Sequence, residues 1–235
     1  MTAGGARRRV LAAAAAFAPC VVPVSAASAD DMMFGPSPVR NWDGAYFGLN
    51  YGIAWAEARH DFPNFVSTNA FKQTGSLVGG TAGYLWQGGH WVIGLEGDLD
   101  WSKVEGKTEV NCPASCFSNL QALATLRSRI GFAWSDYLIY TGIGVASGLL
   151  HAGQPGYDAR DWEPGWPIMI GVEGRFAANW SMKLEFVHVR VNDIFYRAPL
   201  NSQLHLIDVN QRDFNVIRFG LSYFPNWDLR TAMGR

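Results

Sequence analysis

The sequence predicts an all-β fold, an eight-stranded antiparallel up-and-down transmembrane β-barrel, and three observations lead to that fold class. Stretches of about ten residues alternate between apolar side chains and small or charged ones, which makes one face of each strand apolar. Eight such stretches occur, and the connections between them are long and short in turn. Aromatic residues flank each short connection, as expected of side chains that prefer a membrane–water interface.

Composition limits the classes of protein to which the chain can belong. Of its 235 residues, 14% are aromatic and 26 are glycine, a combination typical of closed β structures in which bulky side chains fit beside bare backbone. The formal net charge is −1 and only 17% of the residues are charged, so a basic surface for nucleic acid is not expected. Beyond residue 30, no stretch approaches the ~20 apolar residues of a membrane-spanning helix.

The N-terminal segment has the layout of a secretory signal peptide. Arg7, Arg8 and Arg9 precede an apolar, alanine-rich run over 10–24, and small residues follow it. A single membrane-anchoring helix is the alternative, but the run is short and contains Pro19 and Pro23. We therefore predict export to the bacterial outer membrane, with a signal peptide over 1–29 (cut near 26–29), a periplasmic linker over 30–41, the barrel over 42–224 and a C-terminal tail over 225–235.

The segment His90–Trp101 shows the strand pattern most clearly. Its odd positions include Trp91, Leu95 and Trp101, whereas its even positions include Glu96 and Asp98. In a membrane barrel the apolar face meets lipid and the carboxylates face the lumen. Together with this segment, the predicted strands are Gly44–Trp55, Leu77–Gln87, Leu120–Trp134, Tyr137–Leu149, Trp166–Phe176, Trp180–Val191 and Phe214–Phe224. Short turns are predicted at 87–89, 135–136 and 177–179, and long loops at 60–73, 102–119, 150–164 and 192–212.

Ten charged side chains share the face that is assigned to the lumen: Glu96, Asp98, Asp100, Arg127, Arg129, Glu173, Arg175, Lys183, Glu185 and Arg218. Acidic and basic residues are equal in number among them. Eight strands enclose a space that side chains can fill, and an unpaired buried charge is strongly unfavourable. We therefore predict an ion-pair network that plugs the barrel. A narrow conducting path, and with it a small-solute porin, is the alternative.

A soluble eight-stranded carrier of the lipocalin type, exported to the periplasm, is the alternative fold. It would place apolar residues inside and charges outside, and alternation alone does not separate the two arrangements. The size of the side chains does separate them. Large apolar residues dominate one face, while glycine, alanine and paired charges share the other, and only the latter set fits a narrow lumen.

Cys112 and Cys116 are the two cysteines that remain after removal of the predicted signal peptide. Two cysteines four residues apart in an exported chain predict a local disulfide, with two free thiols as the alternative. A zinc site would need further ligands nearby, and the sequence offers none there. No metal site and no cofactor are predicted.

His188 and Arg190 share the outward face of the predicted seventh strand, about as far above Trp180 as the outer headgroups lie. They predict a contact with the phosphates of lipopolysaccharide, with a solvated rim as the alternative. Glu185 lies on the opposite face from His188 and so cannot cooperate with it. The loop histidines have no serine or cysteine partner at a diagnostic spacing, so we predict no catalytic residues and no enzyme activity.

Several motifs resemble those of the small surface porin-like proteins of α-proteobacteria, the outer-membrane immunogenic proteins of brucellae and their rhizobial relatives. The motifs lie at 42–52, 83–87, 94–98, 126–131, 179–185 and 216–224, and so extend over the whole predicted barrel. The resemblance implies an eight-stranded outer-membrane barrel with surface, antigenic or envelope-integrity roles. One departure is that the chain continues past the aromatic Phe224. Either this internal aromatic residue is the one that the assembly machinery recognises, or assembly differs.

These observations predict an outer-membrane surface protein with a structural or interaction role and at most weak porin activity. The expected partners are outer-membrane lipid and lipopolysaccharide, the barrel-assembly machinery, and host or envelope partners bound through the loops.

Overall fold

The computed structural model describes residues 40–62, 67–112, 115–200, 203–211 and 213–225, all within one compact unit, Pro36–Arg235. The predicted signal peptide, nearly all of the linker and all but the first residue of the tail lie outside the described residues. The strands are β1 (Gly44–Asp61), β2 (Phe71–Gly88), β3 (Trp91–Thr108), β4 (Cys116–Trp134), β5 (Tyr137–Gln154), β6 (Tyr157–Arg175), β7 (Trp180–Val191), β8 (Ile194–Leu200), β9 (Gln203–Gln211) and β10 (Phe214–Tyr223).

Eight of these strands form a closed antiparallel ring. Each strand from β1 to β6 pairs with the next, β10 pairs with β7, and β10 also pairs with β1. At the closing seam, Leu49 of β1 lies opposite Leu221 of β10. A closed ring leaves no free edge in the membrane, where an unpaired backbone group would be costly. The predicted eight-stranded antiparallel fold is confirmed, and β8 and β9 form an additional hairpin.

The lower part of the ring carries an apolar belt on its outer surface, which in β1 extends from Phe47 to Trp55. Leu95, Ile130 and Phe219 are each about half exposed, whereas Glu96 and Arg127 are 1% exposed. A soluble carrier would require the reverse arrangement, so the lipocalin-type alternative is wrong. The apolar residues face the hydrocarbon and the charged ones face the interior.

The three predicted short turns lie together at one end of the ring. Gly89 has a φ of 63° in the turn from β2 to β3, a conformation that glycine adopts without strain. Residues 135–136 form the turn from β4 to β5, and 177–179 connect β6 to β7. The rings that flank these turns are exposed, as an interfacial girdle requires: Trp86, Trp91, Trp134, Tyr137, Phe176 and Trp180.

The prediction of long irregular loops is wrong for most of their length, because the strands continue beyond the belt. We call these continuations, together with β8 and β9, the external section. In β1, Ala56, Ala58 and His60 are buried inside, while Glu57 and Arg59 point outward. Water replaces lipid at this level, so the apolar face of the strand changes from outside to inside. The external section is thus built like a soluble barrel on top of a membrane barrel.

The hairpin of β8 and β9 completes the wall of the external section. Four residue pairs join β9 to β1, from Ala58 opposite Gln211 to Asp61 opposite Asp208. The inward side chains of the hairpin pack into the core, and Ile194, Ala198 and Ile207 are fully or almost fully buried. The predicted loop at 192–212 is therefore largely an ordered, packed hairpin.

Candidate functional site

Glu96 is the centre of the charge network inside the belt. Its Oε1 accepts a hydrogen bond from Arg127 Nη2 at 2.5 Å. Its Oε2 accepts hydrogen bonds from Lys183 Nζ at 2.6 Å and from Arg129 Nη1 at 2.9 Å. The Arg218 guanidinium lies 3.8 Å from Oε1. One carboxylate from β3 is thereby tied to cations from β4, β7 and β10, which lie around the ring.

The remaining acidic residues extend this network through two arginines, Arg218 and Arg129. Arg218 contacts Glu185, lies 3.1 Å from Asp98 and lies 3.5 Å from Asp100. On the other side, Arg129 Nη2 donates to Glu173 at 2.8 Å. Nine of the ten predicted lumen charges therefore lie in one connected set of ion pairs, which contains five acidic and four basic residues. A buried charge is tolerated only when it is paired and hydrogen-bonded in this way.

Arg175 is the predicted lumen residue that lies outside this network, and its assignment is corrected here. It is partly exposed at the periplasmic mouth, at the end of β6, where its guanidinium carbon lies 3.7 Å from the centre of the Phe224 ring. Its Nη1 donates to the carbonyl oxygen of Ala178 at 3.0 Å. Alternation along β6 placed Arg175 on the correct face but could not show that the strand ends there.

Two tyrosines that the site prediction omitted complete the network. Tyr46 donates to Glu96 Oε2 at 2.6 Å, and Tyr140 donates to Glu185 Oε1 at 2.6 Å. Both rings lie where a neighbouring strand carries glycine, since a Cβ on Gly83 or Gly171 would fall within 3.0 Å of them. Their inward alternation with glycine was the signal in the sequence that could have identified them.

Apolar side chains fill the lumen above the charges. Leu77, Leu123 and Val187 lie at the boundary, and the buried residues of the external section continue the core outward. The cavity at this boundary measures about 10 Å³, roughly the space that one water molecule needs. The interior is therefore filled twice, by paired charges inside the belt and by apolar side chains above it.

His60 lies in the part of β1 above the belt, packed against the rings of Phe62, Phe71 and Tyr196. Its Nδ1 is 3.1 Å from the hydroxyl of Tyr196 in β8, so it connects the ring to the external hairpin. Burial lowers the pKa of His60 to about 4, although the carbonyl of Phe117 and the carboxylate of Asp61 oppose this shift. The imidazole is accordingly neutral at neutral pH.

The lowered pKa of His60 predicts a pH-dependent stability. Between pH 6.5 and about pH 4 the unfolded chain binds a proton at His60 that the folded protein does not. The free energy of unfolding therefore decreases as the pH is lowered through this range. The slope from this residue is at most about 1.4 kcal/mol per pH unit, and it vanishes above pH 6.5. Denaturant titrations of wild type and His60→Phe over pH 4–8 measure it by difference. Equal slopes in the two proteins would contradict the prediction.

Cys112 and Cys116 are joined by a disulfide. Cys116 begins β4 and is fully buried, and Cys112 packs against the core of the external section. The bond closes a loop of few residues, so it braces the tip of the hairpin formed by β3 and β4 rather than the whole barrel.

The two rim residues lie where alternation placed them, on the outer surface of β7 above Phe186. Arg190 Nε is 2.8 Å from Asp213 Oδ1, and His188 Nε2 is 3.2 Å from Asp213 Oδ2. His188 Nδ1 also lies 2.9 Å from Asn215 Oδ1. Asp213 and Asn215 belong to the neighbouring β10 region and were not part of the predicted contact. One acidic side chain thus contacts both rim residues.

Two further observations concern the described part of the chain. It contains no group of three or more His, Cys, Asp or Glu side chains that could hold a metal ion. Within the same residues, no helix is long and apolar enough to cross a membrane.

The sequence is similar to those of known outer-membrane proteins. A family model described as an outer membrane protein β-barrel domain matches residues 11–223. The chain is 27% identical over 233 residues to the 31 kDa outer-membrane immunogenic protein of Brucella melitensis biotype 1, which covers 85% of this chain and 93% of that protein. It is 26% identical over 156 residues to the 22 kDa outer membrane protein of Rhizobium leguminosarum bv. viciae, covering 63% and 64%. The crystal structure of OprG from Pseudomonas aeruginosa superposes with a TM-score of 0.49 at 14% identity, covering 78% of this chain and 98% of that one.

Proposed function

The chain belongs to the outer membrane protein β-barrel domain family and is a protein of the bacterial outer membrane, and from that premise we propose that it serves as a non-catalytic surface scaffold. In this role the barrel presents the external section to the cell exterior and anchors it in the membrane. It does not function as an open porin. The proposed role is structural or interactive, with at most weak conduction.

The observation that carries this proposal is the double filling of the lumen. Glu96 and Arg127 lie inside the belt with no exposed side-chain surface, and Lys183 is equally buried. Moving an ion through them would require the breaking of several charge-assisted hydrogen bonds in a space that water barely enters. The apolar core above them presents a second barrier. Both features support a plugged scaffold over a small-solute porin.

The side-chain contacts of four of the five histidines support a non-catalytic role. His151 Nε2 lies 2.8 Å from Asp158, His60 contacts Tyr196, and His90 Nδ1 lies 3.0 Å from the carbonyl oxygen of Ala133. His188 contacts Asp213 and Asn215. A hydrolase of the nucleophilic type needs a histidine within hydrogen-bond reach of a serine or cysteine side chain. These pairs instead have the geometry of structural contacts.

The proposed partners follow from the position of each surface. His188 and Arg190 lie on the outer surface above the apolar belt, where they would reach the outer-leaflet headgroups and contact lipopolysaccharide. The external section would contact envelope or host partners. Phe224 follows the last strand and is 5% exposed once folded, so the barrel-assembly machinery would have to recognise it before the barrel closes.

Single-channel recording in planar bilayers tests the scaffold proposal. We expect the folded wild-type protein to remain silent under conditions in which an open porin conducts. Lys183→Met removes a lumen charge, and Lys103→Met, its matched control, removes an exposed charge from the outer surface of β3. Steady wild-type openings whose conductance changes with Lys183→Met, but not with Lys103→Met, would overturn the proposal and establish a porin.

A further inference from the structure

A cleft of about 1240 Å³ opens on the outside of the barrel, where the wall changes from β7 and β10 to the hairpin of β8 and β9. The ladder between β1 and β10 ends at Trp55, and the ladder between β1 and β9 begins at Ala58. The wall is therefore interrupted over two residues of β1. The volume is above the 300–1,000 Å³ that is typical of small-molecule sites.

The cleft lies at the boundary between hydrocarbon and water. Trp55 is the last apolar residue on the outward face of β1, and the charged Glu57 and Arg59 follow it on the same face. Below the cleft, the ring of Trp55 lies 6.4 Å from that of Phe186 on the belt. A lipid with its chains on the belt would therefore place its headgroup in or against the cleft.

The polar lining consists mainly of amides and carboxylates. Asn192, Asn210 and Asn215 line the cleft together with Glu163 and Asp193. Within this set Asn210 Nδ2 lies 3.4 Å from Asp193 Oδ2, and Asn215 Oδ1 lies 2.9 Å from His188 Nδ1, so each of these groups keeps a second polar atom or lone pair for a ligand. An amide group donates and accepts hydrogen bonds at once, which matches a hydroxyl group that does the same. Trp55 at the lower end and Phe195 at the upper end are 39% and 50% exposed, and each offers an apolar ring to a ligand. Amides, carboxylates and exposed rings together suit a ligand that is rich in hydroxyl groups.

Carboxylates outnumber the lysine and arginine side chains of the cleft, which is lined by Glu57, Glu163, Asp193 and Asp213 on one side of this balance and by Lys72 and Arg190 on the other. Arg190 and His188 both contact Asp213, at 2.8 and 3.2 Å. A phosphate would have to displace the Asp213 carboxylate and would meet the additional negative charges of Glu163 and Asp193. The charge distribution therefore disfavours phosphate.

We propose that this rim cleft binds a saccharide through its hydroxyl groups, and that the saccharide is the sugar portion of an outer-leaflet glycolipid. The inference rests on the proposed contact with lipopolysaccharide. It assigns recognition to the sugar of that molecule instead of its phosphates. Trp55 and Phe195 cover the apolar faces of the sugar rings, and the amides and carboxylates bind the hydroxyls. A soluble oligosaccharide would satisfy the same groups without the anchoring effect of the lipid.

Binding to the protein in phosphatidylcholine nanodiscs tests the chemistry. Four probes are compared: lipopolysaccharide, dephosphorylated lipopolysaccharide, its lipid-free oligosaccharide, and phosphatidic acid. We expect the first two to bind with equal affinity, the third to bind more weakly, and phosphatidic acid not to bind. If the lipid-free sugar bound as tightly as the glycolipid, the glycolipid would be excluded as the preferred source.

Loss of binding on dephosphorylation would overturn the saccharide inference while leaving the lipopolysaccharide contact intact. Failure of all four probes to bind would overturn the saccharide inference and the lipopolysaccharide contact together.

A matched pair of variants locates the site. Phe195→Ala removes an exposed ring from the cleft, and Leu206→Ala removes an equally exposed side chain from the same hairpin outside the cleft. We expect at least about a fivefold loss of affinity for dephosphorylated lipopolysaccharide in the first and less than about a twofold change in the second. Equal losses in the two variants would contradict the assignment. Neither side chain is buried, so unchanged thermal unfolding verifies that both variants are folded.

Asp213→Asn further separates recognition of the sugar from recognition of the phosphate. This variant releases Arg190 and His188 from their carboxylate partner without removing either side chain. If the sugar is recognised, the ratio of affinities for phosphorylated and dephosphorylated lipopolysaccharide stays near one in the wild type. A wild-type ratio above about tenfold that grows further in Asp213→Asn would show recognition of phosphate and overturn the inference.

Discussion

Glu96→Ala is expected to lower the free energy of unfolding of the barrel by about 3–5 kcal/mol. The substitution removes the carboxylate that Arg127, Arg129 and Lys183 share, and it leaves these three cations buried with too few acceptors. The loss of a partner is more costly than the loss of a whole pair, because the remaining charge has already been removed from water. Denaturant titration in lipid vesicles, followed by tryptophan fluorescence, measures the change.

Glu105→Ala is the matched control for this prediction. Glu105 lies on the same strand as Glu96 but points outward above the belt, where its side chain is exposed. Its removal should change the free energy of unfolding by less than about 0.5 kcal/mol. If both substitutions had the same effect, or if Glu96→Ala cost less than about 1 kcal/mol, Glu96 would not be the centre of a buried network.

Leu95→Arg should destabilise the barrel by about 2–4 kcal/mol for a different reason. Leu95 is adjacent to Glu96 but faces outward near the middle of the apolar belt of β3, and it is 51% exposed. In the folded protein the new guanidinium would face hydrocarbon, where it lacks the hydration that it has in water. Unfolding titrations in vesicles should show this loss, and thinner bilayers should reduce it.

Two controls isolate the charge effect at Leu95. Leu95→Ala measures the loss of the side chain alone and should cost less than Leu95→Arg. Glu105→Arg places the same guanidinium on the same face of β3, above the belt, and should be tolerated there. A cost for Glu105→Arg that matched that of Leu95→Arg would mean that the two positions face the same medium, and the orientation of the belt would be wrong.

Several elements could be predicted from the sequence because the information that defines them is local. The alternation along β3 and β7 identified the lipid-facing and inward side chains, and β7 has the predicted bounds, Trp180–Val191. The turns at 87–89, 135–136 and 177–179 follow from glycine, small and polar residues between two alternating runs. The combination of charged and small residues on one face was enough to predict that the charges are enclosed.

The external section could not be predicted in the same way. In β3, Trp101 is outward and apolar, yet Lys103 and Glu105 continue the same outward face, while Val104 is buried inside. A register shift in β4 between Leu120 and Ala122 also changes which positions point inward. A rule that expects one apolar face along a whole strand finds a mixed polar stretch here and predicts a loop. The medium outside the strand changes from lipid to water, and no single residue signals that change.

By itself, the sequence determined the number of ring strands, the face to which most side chains point, the turns and the identity of the nine enclosed charges, although it also counted Arg175 among them. Each of these features depends on neighbours along the chain. Only the tertiary structure decided which charges pair and which side chains meet at the rim. Glu96 meets Lys183 from 87 residues away, and Asp213, just before β10, contacts both His188 and Arg190 of β7. Pairing of this kind is set by strand register and ring closure, which bring distant residues together, and the period of a strand contains no information about either.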